Sequence, residues 1–199
     1  MKSESRSLNK HDITNFWIKV YFGTTAPNKI LDAVIDRAYR DFNRTMHGLG
    51  EFQTKDKYNS LKQVLRNIVL EMDSCIFLNQ AQFDEWHKLK CDEIISSFSC
   101  IPYTLYYGQA QKWLNMTLKY LTAINFESDN LFKVNYHYFH VPIDKIIQDQ
   151  FQKFGIPKLK LNWSRIDNYN VYFDYQLKIR AKFTPRIPLD VEFELFNGS

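Results

Sequence analysis

The chain has 199 residues, 45% of them apolar and 24% charged, with a formal net charge of +4; this is a globular composition, long enough for one ordinary domain with a sizeable core. No uninterrupted apolar run approaches the roughly 18 residues that span a bilayer, and the polar start MKSESRSLNKHD carries no signal-peptide-like stretch. A cytoplasmic protein with no membrane partner is therefore expected, and Cys75, Cys91 and Cys100, odd in number and without a CxxC, are expected to be reduced core thiols.

Six Gly, six Pro and no repeat or low-complexity tract leave no domain boundary, so residues 1–199 read as a single helical domain. Asn28 to His47 has Ile30, Leu31, Val34, Ala38, Phe42 and Met46 at helical spacing and is ended by Gly48 and Gly50. Two further helical periods run over Tyr58 to Phe77 and Ala81 to Phe98. A break at Ile101-Pro102 leads through Gly108 into GQAQKWLNMTLKYL, whose Ala110, Trp113, Leu114, Thr117, Leu118 and Leu121 make one continuous apolar face. What remains is a narrow polar stripe of Lys112, Asn115 and Lys119, flanked by Gln111.

Residues 125 to 141 are aromatic and irregular, after which Pro142 is placed to open a helix that stops at Gly155 and Pro157. Ser164 reads as the N-cap of another helix running to about Lys182. The end, RIPLDVEFELF, alternates Leu189, Val191, Phe193 and Leu195 against Asp190, Glu192 and Glu194, a period of two that predicts a short extended segment. The fold class is thus mainly α, a single compact domain of about six helices with a short extended C-terminal segment. Lys145 to Arg186 holds nine Lys/Arg against three Asp/Glu, a surplus of six, so the remainder sums to −2. Such asymmetry suits a phosphate-facing surface.

A lysine four residues after the Gly of a Pro/Gly hairpin, followed by a Pro-x-Asp at a later helix start, resembles the helix-hairpin-helix DNA glycosylases. The matching stretches are Ile101-Pro102 to Gly108-Gln-Ala-Gln-Lys112 and Val141-Pro142-Ile143-Asp144. The interval of 32 between Lys112 and Asp144, and Lys119 two turns on, are most similar to the archaeal 8-oxoguanine glycosylase branch. The likeness covers Ile101 to Asp144, with an echo at Asp190, where the family places a base-contacting Asp. The hairpin departs from the family in keeping one Gly, with Tyr103 to Tyr107 in place of the others.

The resemblance implies a helix-hairpin-helix-like centre, a partner in double-stranded DNA with a damaged base, no cofactor, and β-lyase activity on an oxidised purine through a lysine Schiff base. Lys112 would be the nucleophile, activated by desolvation of its charged form, and Asp144 would steady the charge developing on the sugar. Trp113, Tyr120, His140 or the aromatics between Phe126 and Phe139 would hold the extruded base, and Lys119, Asn115, Gln111 and Asp190 would line its site.

Two other patterns compete. Arg40 and His47 in RDFNRTMH resemble the R-x4-6-H signature of HEPN ribonucleases, with His47 as general base and Arg40 on the phosphate of an RNA. His137-x-x-His140 with Asp144 could suit a metal, but no third ligand is predictable and no metal is expected. No P-loop and no Rossmann glycine pattern occurs. A non-catalytic helical binding protein stands as the third reading.

Overall fold

A computed structural model describes residues 8–49, 54–125 and 134–198. Eight α-helices lie among them: α1 (Lys10–Phe22), α2 (Pro27–Phe42), α3 (Lys55–Asp73), α4 (Gln80–Ser97), α5 (Tyr107–Asn125), α6 (Lys145–Gln152), α7 (Tyr169–Phe183) and α8 (Pro188–Phe196). No strand occurs among the described residues, and no helix there is long and apolar enough to cross a membrane.

Short polar side chains set most helix starts. Thr54 accepts from the Lys57 amide, Asn79 from Gln82, Asp144 from Ile147 and Asn168 from Asn170, each occupying one of the first-turn donors that has no intrahelical partner. At the start of α1, Asn9 and Asp12 form a reciprocal capping box.

Helix α5 is the axis of the domain. It packs most extensively on α2 and also meets α4, α7 and a 3-10 turn at Trp163–Arg165. Trp113 on α5 is wholly buried against Tyr39, Phe42 and Phe98, and its indole N–H donates to the Ile35 carbonyl. Every residue from Gly108 to Lys119 is buried, so the polar stripe of this helix faces protein on all sides.

Several expectations are corrected. Among the described residues the helices number eight rather than six, α1 and α8 being the additions. Helix α1 carries Ile13, Phe16, Trp17 and Val20 at helical spacing but turns them to solvent and buries no residue fully. The C-terminal segment is helical, not extended: Pro188 stands in its first turn, and the backbone satisfies its N–H and C=O groups internally.

Pro142 does not open α6. It sits in irregular chain, where it disfavours a helical conformation for the preceding Val141, and Asp144 makes the better cap. Ser164 lies in the 3-10 turn, and Asn168 is the true N-cap of α7. Helix α2 ends at Phe42, five residues before His47, and passes into a 3-10 turn at Asn43–Thr45; Gly48 then takes a left-handed φ of 85°. Gly50 and residues 126–133, including Phe126, lie outside the described residues. Of the three free cysteines only Cys91 is a core thiol, Cys75 being half-buried and Cys100 exposed.

Candidate active site

The site is built where α5 meets the non-helical run from His140 to Asp144. A non-helical segment crossing a helical core cannot pair its backbone with a neighbouring strand, so its polar groups need side-chain partners. Two glutamines supply them. Gln176 of α7 accepts from the Val141 amide at 3.2 Å and donates to the Val141 carbonyl at 2.7 Å. Gln111 of α5 does the same at Ile143, at 3.1 and 2.8 Å. Each side-chain amide therefore acts as one rung of a ladder, and Pro142 between them has no N–H to satisfy.

This clamp brings Asp144 onto Lys112. Nζ of Lys112 donates to Oδ2 of Asp144 at 2.6 Å, while Oδ1 accepts from the Ile147 amide at 2.9 Å and so caps α6. Lys112 is 4% exposed. The Asp144 side chain is 19% exposed, so the pair is nearest to solvent on the carboxylate side.

Behind the pair lies a buried polar network. Asn115 donates to Gln111 at 3.1 Å and to the Tyr172 hydroxyl at 2.9 Å, and its carbonyl faces Nε2 of His87 at 2.9 Å. Tyr172 in turn meets Nδ1 of His140 at 2.7 Å, and Nε2 of His140 meets Asp84 at 2.8 Å, with Arg180 bonding both Asp84 oxygens. Partner chemistry assigns the tautomers: Nε2 carries the proton on both histidines, since each faces an oxygen acceptor there.

Burial pushes the His140 imidazole down to about 4, the Asp84 contact opposing this and Arg180 reinforcing it. His87 is driven well down by burial and then by His140. Burial would raise the Asp84 carboxyl, but bonds from His140 and Arg180 outweigh it and hold it below the usual range. The arrangement keeps one anion and one guanidinium paired, with two neutral imidazoles between them and Asn115.

Of the residues expected to act together, Lys112, Asp144, Gln111 and Asn115 converge here. Lys119 does not: seven residues along α5, roughly 10 Å at 1.5 Å per residue, its Nζ lies 2.6 and 2.5 Å from the two oxygens of Glu192 on α8 and sits over the rings of Phe193 and Phe196. Asp190 stands in the first turn of α8, half-buried, with burial raising its carboxyl. Trp113 is locked in the core and offers no face to a base. His140 is likewise removed from that role, with both ring nitrogens engaged and none left for a metal. Tyr120 donates to Asp41 and meets Tyr21 at 3.0 Å, tying α1, α2 and α5 together.

Arg40, exposed in the last turn of α2, and His47, exposed beyond the 3-10 turn, do not share a helix. Among the described residues no group of three His, Cys, Asp or Glu side chains is placed to hold a metal.

In the irregular chain before α5 three amides are already bonded. The amides of Tyr103, Tyr106 and Gly108 donate to the Ile101 carbonyl, the Gln109 side chain and the Ile166 carbonyl. Gly108 is needed for contact rather than for a turn, because a Cβ there would stand 1.7 Å from the Trp163 carbonyl oxygen.

Sequence reasoning missed Glu192, Asp84, Arg180, Gln176, Tyr172 and His87. Only a buried charge on α5 hinted at them, by requiring an acidic partner somewhere. No family model matches the chain, and no curated protein or solved structure is found to match it.

Proposed function

We propose that the chain is a DNA glycosylase with β-lyase activity on an oxidised purine, with Lys112 as nucleophile and Asp144 as its proton acceptor. The observation that carries this reading is the 2.6 Å contact between a buried lysine of the central helix and the carboxylate that caps the next helix. Nucleophilic catalysis by lysine needs the amine held out of bulk water beside a base, and both conditions are met at this pair.

In the proposed reaction Nζ attacks the anomeric carbon of the damaged nucleoside and the glycosidic bond breaks, its electron pair leaving with the base. Before the attack Asp144 takes one proton from the Nζ ammonium, freeing its lone pair, and passes that proton to the departing base; the carboxylate so restored stabilises the cationic character of the sugar. Ring opening gives the protonated Schiff base, and loss of a proton from the 2′ carbon expels the 3′ phosphate. The clamp of Gln111 and Gln176 holds Asp144 at the distance this transfer requires.

Borohydride reduction in the presence of an 8-oxoguanine duplex tests the reading. A covalent adduct is expected with the unaltered protein and none with Lys112→Ala. If no lesion, abasic sites included, gives an adduct while the fold is intact, the enzymatic reading fails and the pair is a strut between α5 and α6 in a helical binding protein.

A further inference from the structure

A glycosylase must hold the DNA backbone as well as attack a sugar, and the amides of Tyr103, Tyr106 and Gly108 have no hydrogen left to offer a phosphate. The segment that bonds Gly108 is itself basic. Residues 156 to 166 run from the end of α6 to the 3-10 turn and touch both halves of the candidate site. At one end the Ile166 carbonyl takes the Gly108 amide. At the other, Leu159 donates to Oε1 of Gln148, and Nε2 of the same Gln148 donates to the Asp144 carbonyl, at 2.9 and 3.2 Å.

Between this segment and α6 runs an open groove of about 270 Å³, lined by Lys145, Gln148, Asp149, Lys158, Asn162 and Trp163 among others. Lys145, which lines one end of the groove, directly follows Asp144 in the chain. Lys158, Lys160 and Arg165 are all exposed along the segment, and Trp163 is half-buried on its groove side. Arg165 lies over the Tyr106 ring of the hairpin, its guanidinium carbon 5.2 Å from the ring centre. Asp149 is the one acid lining the groove, and it is bridged by both Lys145 and Lys158. Over residues 145–167 five Lys/Arg stand against two Asp/Glu.

We infer that this groove and its basic rim bind the phosphate backbone of duplex DNA through side-chain cations, the amides of Tyr103, Tyr106 and Gly108 being already engaged. Arg and Lys neutralise phosphates and release counterions, which binds any sequence and leaves base choice to other residues. Asn162 supplies a neutral donor, and Trp163 an apolar flank for the sugar edge. The inference rests on the glycosylase reading for its choice of DNA, while the binding itself needs no catalysis.

The experiment is fluorescence anisotropy of a lesion-free 25-bp duplex across a salt series, with the unaltered chain, Lys158→Gln/Lys160→Gln/Arg165→Gln, and a control that removes Lys19, Lys29 and Lys55 from α1, α2 and α3. Each lost phosphate contact lowers the slope of log K against log salt by about 0.9. The groove variant is therefore expected to lose about 2.7 from the slope, with unchanged circular dichroism, and the control to lose less than 1. Equal losses in both variants, an unchanged slope in the groove variant, no binding by the unaltered chain, or tighter binding of single-stranded RNA of the same length would each overturn the inference. Lys112→Ala separates this from the catalytic reading. Salt-dependent groove binding without borohydride adducts sustains the groove and sinks the glycosylase, and adducts that survive loss of the three cations do the reverse.

Discussion

Removing the charge of Asp144 while keeping its cap isolates what the buried pair contributes. In Asp144→Asn the side-chain oxygen still accepts from the Ile147 amide, because Asn is as good an N-cap as Asp. The ammonium of Lys112, 4% exposed and 2.6 Å from the Asp144 carboxylate, then loses that counter-charge in the protein interior. Breaking a buried pair from one side costs about 3–5 kcal/mol. In a chain of 199 residues each kcal/mol moves the melting temperature by roughly 2–4 °C, so a fall of about 6–20 °C is expected.

The companion variant Lys112→Met/Asp144→Asn removes both charges at nearly constant volume and should regain most of that loss, since well-packed apolar replacements of ion pairs are often neutral or stabilising. Thermal melts followed by circular dichroism, with urea titration at one temperature, give all four corners of the cycle when Lys112→Met is added. A loss under about 1 kcal/mol in Asp144→Asn, the range of exposed pairs, would refute the claim that this contact is desolvated.

Two further outcomes follow from the structure. His140 and His87 are neutral in the fold with imidazoles depressed below the unfolded value of about 6.5, so protons bind the unfolded chain first. Their contribution is complete above about pH 6.5 and is lost as pH falls towards 4. The urea midpoint should decline across that window and His140→Gln should flatten the decline, whereas a profile flat from pH 7 to 4.5 in the unaltered protein contradicts the burial. Gly108→Ala puts a methyl 1.7 Å from the Trp163 carbonyl, a backbone atom that cannot rotate away. About 2 kcal/mol or more of destabilisation is expected, in the range of overpacked sites, and a stability within 0.5 kcal/mol of the parent would show that the 3-10 turn is not seated on the helix.

The apolar periods of α2 to α4 were legible because each buries one face, and a 3.6-residue repeat is what one-sided burial leaves in a sequence; α5, buried all round, showed instead as a long apolar helix with a narrow polar stripe. RIPLDVEFELF misled for a physical reason. Its alternation fits a half-buried strand, but Glu192, read as an outward residue, turns inward to meet Lys119, 73 residues away. The Lys112–Asp144 pair could be proposed from local motifs at each end. Its supports could not, since Gln176, Asp84 and Arg180 reach their partners across 35, 56 and 96 residues and leave no local pattern behind. A polar stripe on an apolar helix declares that partners exist, and only the fold says which.

Stability alone gives little reason for α5 to bury Lys112, Lys119, Gln111 and Asn115, since apolar residues of similar volume would hold the helices together at least as well. What those four supply is position. Gln111 and Gln176 lock two alternate residues of an unpaired segment, Asn115 and Tyr172 join that lock to the histidine network, and the network ends on an Arg180–Asp84 pair that anchors α7 to α4. Every rung stands within hydrogen-bond distance of the next, so a shift of Asp144 relative to Lys112 would break bonds at both glutamines. A strut between α5 and α6 would need the ion pair alone, without the two glutamines that fix the segment behind it. Holding one carboxylate oxygen on a lysine amine and the other on a helix amide is the kind of constraint that proton transfer demands. Gln111→Leu/Gln176→Leu should therefore reduce adduct formation more than it reduces folded population.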